Sequence, residues 1–248
     1  MKNLMTGLTL SILISIPSYS AIASTANTKP QVAPYTSTNE MLSKMTPAQA
    51  LQRLKDGNMR FMKNKIINRN LLQQAKATSL HGQFPFAVVL SCMDSRGSSE
   101  LILDQGLGDI FSIRVAGNIV DTDQLGSMEY ATKVIGSKII VVMGHTQCGA
   151  MGGACKNVEL GNLTALLEKV QPAVKKVKDA ADGNINCDDQ KTIDAIAKQN
   201  VLDMMEQVKE KSSIIRDQIS NKQILIIGAM HNLYSGQVIF FDEKGVEI

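Results

Sequence analysis

The chain has 248 residues, 44% of them hydrophobic, which suits one domain with a sizeable core. Its net charge of +3 is too small to point to nucleic acid, and its 26 basic residues are scattered among 23 acidic ones, so no polyanion partner is expected. No internal repeat is visible.

In chain order, residues 1–23 read as a secretory signal: Lys2 supplies a positive end, residues 8–16 are apolar, and Ala21-Ile22-Ala23 fits a small-x-small cleavage pattern. Ser11, Ser15 and Pro17 interrupt the apolar run, which falls below the roughly 20 residues of a spanning helix. Cleavage before Ser24 and a periplasmic location follow as expectations, with no membrane association after cleavage. Residues 24–44, rich in Ser, Thr, Asn and Pro, read as a flexible leader or an arm lying on a partner subunit. The remaining chain, 45–248, reads as one domain.

Thr46-Pro47 predicts a capped helix start, with Ala50, Leu51, Leu54, Met59 and Phe61 on a helix reaching Asn64. The apolar runs 86–90 and 138–143 predict buried parallel strands ending at Cys92 and His145. A helix over 123–134 stops near Gly136, and long helical patterns cover 160–181 and 188–219, separated by residues 183–186. Strands over 223–229 and 237–242 flank a short turn, so that pair is expected to be antiparallel. The fold class is α/β: a central, mostly parallel β-sheet with an antiparallel edge strand, flanked by α-helices.

The chemistry concentrates in two clusters, Cys92-Met93-Asp94-Ser95-Arg96 and His145-Thr146-Gln147-Cys148. Two thiolates and an imidazole suit Zn²⁺, and three protein ligands leave a fourth position for water. Strands of a parallel sheet deliver such ligands to a crevice at their carboxyl ends. If residues 92–96 are extended, Cys92, Asp94 and Arg96 point to one side, and the Asp94 carboxylate can reach either the metal or the Arg96 guanidinium. A helix or turn beginning after Cys148 would favour its thiolate form.

These clusters, with Gly108–Asn118 (GDIFSIRVAGN), Gly126–Ala131 (GSMEYA) and Gly144–Gly149 (GHTQCG), resemble the β-class carbonic anhydrases from about Thr46 to the C-terminus. The resemblance implies one Zn²⁺ per chain, held by Cys92, His145 and Cys148. Asp94 either takes the fourth zinc position or pairs with Arg96 and leaves that position to water. It also implies reversible CO₂ hydration to bicarbonate, and a homodimer or dimer of dimers. Two thiolates cancel the formal charge of zinc and leave a weaker Lewis acid, so Asp94 is expected to assist by accepting a hydrogen bond from the zinc-bound hydroxide. Hydrolysis of CS₂ or COS at the same site and a non-catalytic zinc-binding protein are the alternatives; a displaceable Asp94 weighs against the second.

Other residues read as scaffold. His81 and His231 are expected to be structural or exposed, and Arg114 structural. Gly117 and Asn118 follow a strand and could let backbone approach the zinc crevice, but a tight turn is the commoner reason for a glycine there. Gly106 stands where plant-type relatives carry a glutamine that contacts substrate, which puts a side-chain amide contact there in doubt. For Cys155 and Cys187, a disulfide and two free thiols remain equally open.

Overall fold

Short β-branched runs flanked by amphipathic segments favour a sheet buried on both faces. The computed structural model describes residues 36–248 and contains such a sheet; the signal and the first part of the leader lie outside the described residues. Among the described residues its strands are β1 (Ala87–Ser91), β2 (Ile110–Arg114), β3 (Ile139–His145), β4 (Leu225–His231) and β5 (Val238–Phe241). They lie in the order β2-β1-β3-β4-β5. All pairs are parallel except β4 with β5, which is antiparallel as the short turn between them requires.

Every residue of β1 and β3 is buried, and side-chain alternation divides them between two cores. Val88, Leu90, Ile140 and Val142 pack with Val201 and Met205 of α9 (Gln190–Lys211). Ala87, Val89, Ile139 and Val141 pack with Ala50 and Leu54 of α2 (Pro47–Met62). Helix α2 starts where the sequence places it: the Thr46 hydroxyl accepts from the Gln49 N–H at 3.2 Å, and the Gln49 side chain accepts from the Thr46 N–H at 2.8 Å. No helix among the described residues is long and apolar enough to cross a membrane.

The last residues of the segment read as a leader or arm are folded onto the domain. Helix α1 (Asn39–Lys44) buries Leu42, and the Ser37 N–H and hydroxyl donate to Asp109 at 3.0 and 2.8 Å. Asp109 is buried and is also paired with Arg53 at 2.8 Å, so this loop supplies donors to a carboxylate cut off from water. Helix α3 (Leu71–His81) has no counterpart in the sequence reading. Its leucines Leu71, Leu72 and Leu80 are exposed, so they form no core-facing period. A short α4 (Ser99–Ile102) follows β1.

The helix expected over 123–134 is α5 (Thr122–Glu129) continuing into a π-helical turn, Tyr130–Ile135, and it stops at Gly136 with φ +91°. After α6 (Gly149–Cys155), the two long helical patterns each break in two. The first becomes α7 (Gly161–Glu168) and α8 (Gln171–Ala180), because Pro172 has no N–H to continue the ladder and instead opens a new helix. The second becomes α9 and α10 (Ser213–Ser220), separated by Ser212, whose extended backbone ends one helix while its hydroxyl caps the next by accepting from the Ile215 N–H at 3.2 Å.

Candidate metal centre

The parallel pairing of β1 with β3 aligns Ser91 with Met143, so Cys92 and His145 emerge together at the carboxyl end of the sheet. Gly144 lets other elements close on this end. A Cβ there would lie 2.9 Å from both Val201 Cγ2 and the Met230 sulfur, so α9 and β4 pack directly on the backbone preceding His145. Past β3, Thr146 N–H donates to the His231 carbonyl at 3.0 Å, and Gln147 turns the chain with φ +56° while its N–H donates to Asp194 at 2.8 Å. That turn places Cys148 at the amino end of α6.

The three ligand atoms of Cys92, His145 and Cys148 lie within 4.8 Å of one another, and all three residues are buried. His145 Nδ1 is 2.8 Å from the Thr146 carbonyl, which assigns its proton to Nδ1 and leaves the Nε2 lone pair facing the sulfurs. Nε2 is buried and has no hydrogen-bond partner. A buried acceptor with no donor is costly, and beside two sulfurs it fits a zinc ion's preference for S and N ligands.

The protons are distributed accordingly. Cys148 beside it, together with His145 and the backbone N–H groups of Gly117 and Asp94, pulls the Cys92 thiol down to about 4 against the effect of burial. The same neighbour, with burial, pushes Cys148 far up, although the N–H groups of Met151 and Ala150 at the start of α6 oppose the shift. Burial works against a charged His145, but the Cys92 sulfur and the Thr146 carbonyl outweigh it and move its pKa up.

Asp94 lies outside the three-residue cluster. Both of its oxygens are engaged by Arg96, Nε to Oδ1 at 2.9 Å and Nη2 to Oδ2 at 2.8 Å, and the Arg96 N–H also reaches Oδ1 at 2.9 Å. The Arg96 guanidinium holds the carboxyl well below the usual carboxylate range. Residues 92–96 are not extended as the alternating reading assumed. The chain turns at Ser95 and Arg96, and the Asp94 side chain stabilises that turn by accepting from the backbone two residues on.

Arg114, expected to be structural, ends β2 and donates to the carbonyls of Cys92 at 3.2 Å and Asp94 at 2.5 Å, so it fixes the backbone carrying both. Gly117, with φ +68°, brings its N–H to the Cys92 sulfur, and its carbonyl accepts from Asn200 Nδ2 at 2.9 Å. His231 is buried beside His145 in the sheet register, and burial, reinforced by His145, lowers its pKa to about 4, so the ring is neutral. His81 is exposed at the end of α3. At Gly106 a Cβ would lie 2.6 Å from Gln74 Nε2, so the position has no room for a larger side chain as packed. Cys155 and Cys187 form a disulfide. Asp194 and Asn200 were not anticipated as supports of the site. They lie 47 and 83 residues from their partners, beyond any local spacing signal.

A mostly parallel α/β sheet with a Cys-His-Cys cluster at the carboxyl ends of neighbouring strands defines a protein with a candidate metal centre in its sheet crevice. The chain belongs to the carbonic anhydrase family, in its β class: residues 87–238 match the family model described as carbonic anhydrase. It is 33% identical over 204 residues to carbonic anhydrase 2 of Mycobacterium tuberculosis, covering 80% of this chain and 95% of that one. It is 32% identical to the carbonic anhydrase of Mycolicibacterium smegmatis, covering 77% and 92%. A solved structure reported among tetrameric β-carbonic anhydrases of Sordaria macrospora aligns with a TM-score of 0.61 at 25% identity, over 69% of this chain and 92% of that one.

Proposed function

We propose that this carbonic anhydrase hydrates CO₂ reversibly to bicarbonate and a proton, using one Zn²⁺ per chain held by Cys92, His145 and Cys148. The observation that carries this reading is the convergence of two sulfurs and an imidazole nitrogen within 4.8 Å in a buried crevice. Zinc bound there supplies a Lewis acid that lowers the pKa of water and so provides the nucleophile for CO₂.

The remaining work falls to the chain. Thr146 fixes the His145 tautomer through its carbonyl, and Arg114 fixes the Cys92 and Asp94 backbones. Arg96 keeps Asp94 ionised and turned away from the sulfurs, so the carboxylate accepts a hydrogen bond from the attacking water and orients its lone pair toward the substrate carbon. Asp94 would serve as a hydrogen-bond acceptor while paired with Arg96, and would be free to join Cys92, His145 and Cys148 in holding the metal only on release from Arg96.

We also infer export to the periplasm and assembly into a homodimer or dimer of dimers. The Cys155–Cys187 disulfide suits an oxidising compartment and supports the first. The outer edge of β2, beside a cleft of ≈ 670 Å³ lined by Phe111, Ile113 and Tyr130, supports the second. The test of the catalytic reading is zinc analysis paired with a stopped-flow CO₂ hydration assay on purified protein. One zinc per chain with rapid hydration is expected. Hydration that persists after complete removal of zinc would contradict the reading.

A further inference from the structure

Helix α6, which presents Cys148 at its amino end, is poorly supported by its own sequence. Gly149, Gly152 and Gly153 occupy three of its seven positions, Gly152 and Gly153 in the interior each costing about 1 kcal/mol relative to alanine, and Cys148 provides no side-chain cap. Packing does not compensate on one face: a Cβ built at Gly149 or Gly152 meets nothing within 4 Å. That face opens on a cleft of ≈ 410 Å³, with Cys148 and these glycines on one wall and Asp188, Gln190 and Ile193 on the other.

Two clamps bridge the cleft, both from the segment that begins α9. At the amino end of α6, Asp194 accepts from the Gln147 N–H at 2.8 Å and from Gln190 Nε2 at 2.8 Å. At the carboxyl end, Cys155 is bonded to Cys187, alongside a Lys156–Asp188 ion pair at 2.6 Å. The ion pair is exposed and contributes little. Gln171 Nε2 also holds this end by donating to the Ala154 carbonyl at 2.9 Å, and Ala154 is buried in the core, so the disulfide is the main restraint across the cleft itself.

We propose that the Cys155–Cys187 disulfide is a positioning device for the metal centre, holding α6 so that the Cys148 sulfur stays against Cys92 and His145. Zinc retention then depends on a bond remote from the ligands, through a short glycine-rich helix packed on its other face by Met151 and Ala154. The inference rests on the reading of Cys148 as a zinc ligand.

The test measures zinc transfer to a colorimetric chelator, well below the unfolding temperature, from the wild-type holoprotein and from Cys155→Ala/Cys187→Ala. A companion sample is wild-type holoprotein reduced with a phosphine and alkylated at Cys155 and Cys187 while zinc protects the other two cysteines; it supplies the same comparison without refolding. Opening the disulfide should speed zinc release on the order of tenfold, in the range that supporting contacts of metal ligands control. It should also shift the sulfur-to-metal charge-transfer band of the cobalt-loaded protein. A drop in melting temperature with release rate and cobalt spectrum unchanged would make the disulfide a staple of the fold only and overturn the proposal. Cys148→Ser is the separating control. If it holds zinc as firmly as wild type, the ligand reading has failed; if it loses zinc while the disulfide variants do not, the positioning inference alone has failed.

Discussion

The metal centre and the Asp104 cluster are both buried concentrations of polar groups, yet they are built on opposite plans. Asp104 is almost wholly buried and fully satisfied. Its carboxylate accepts from Arg60 Nε at 2.5 Å, from Arg69, and from the Ile67 N–H at 3.3 Å, and its carbonyl accepts from Arg69 Nη2 at 2.6 Å. Burial alone would raise its pKa, but the two guanidiniums prevail and lower it. At the other cluster, the fixed tautomer of His145 leaves Nε2 facing two sulfurs with no donor to meet it. Other buried atoms, such as Gln218 Oε1 and His231 Nδ1, also lack a partner, and what sets His145 Nε2 apart is that two cysteine sulfurs share its crevice, which together form a donor set suited to a metal from outside the chain.

Substitutions in the two regions should therefore fail in different ways. The largest effect is expected for Cys92→Ser and His145→Ala, which should lose zinc and CO₂ hydration together, measured by metal analysis and stopped flow, while the far-ultraviolet circular dichroism stays native. Asp94→Asn should keep one zinc per chain and lose about 100-fold in turnover, within the range of a general acid–base contribution. Full activity in that variant would remove the carboxylate from the mechanism. Because the Asp94 pKa is depressed in the fold, its pairing with Arg96 persists above the unfolded value of about 4 and is lost only in stronger acid. No fall in wild-type activity between about pH 5 and 9 should then trace to this group.

Asp104→Asn should behave in the opposite manner, with native zinc content and turnover but a stability loss of about 3 kcal/mol by urea unfolding, since two guanidiniums are left without their carboxylate. Loss of zinc in this variant would show that the two regions are not independent.

The sequence exposed the ligands more readily than their supports, and the reason is physical. Cys92 and His145 follow apolar β-branched runs, and parallel pairing of those runs is enough to bring them together. Both strands ran as expected, β4 and β5 paired antiparallel, and the start of α2 was legible from Thr46-Pro47. Helix breaks were hidden where a single residue overrides the pattern, as at Pro172 and Ser212, because periodicity averages over such positions. The turn at Ser95-Arg96 is not legible from the alternation of Cys92, Asp94 and Arg96, because the Asp94 side chain bonds locally to the backbone two residues on. The roles of Arg114, Asp194 and Asn200 depend on which distant backbone groups the fold delivers to them, information that no local spacing carries.

The most direct test of the centre is zinc-edge X-ray absorption on the purified protein. Two sulfur scatterers at about 2.3 Å with one imidazole nitrogen and one further light atom at about 2.0 Å are expected. A shell of four sulfurs, or of nitrogen and oxygen alone, would contradict a site formed by Cys92, His145 and Cys148.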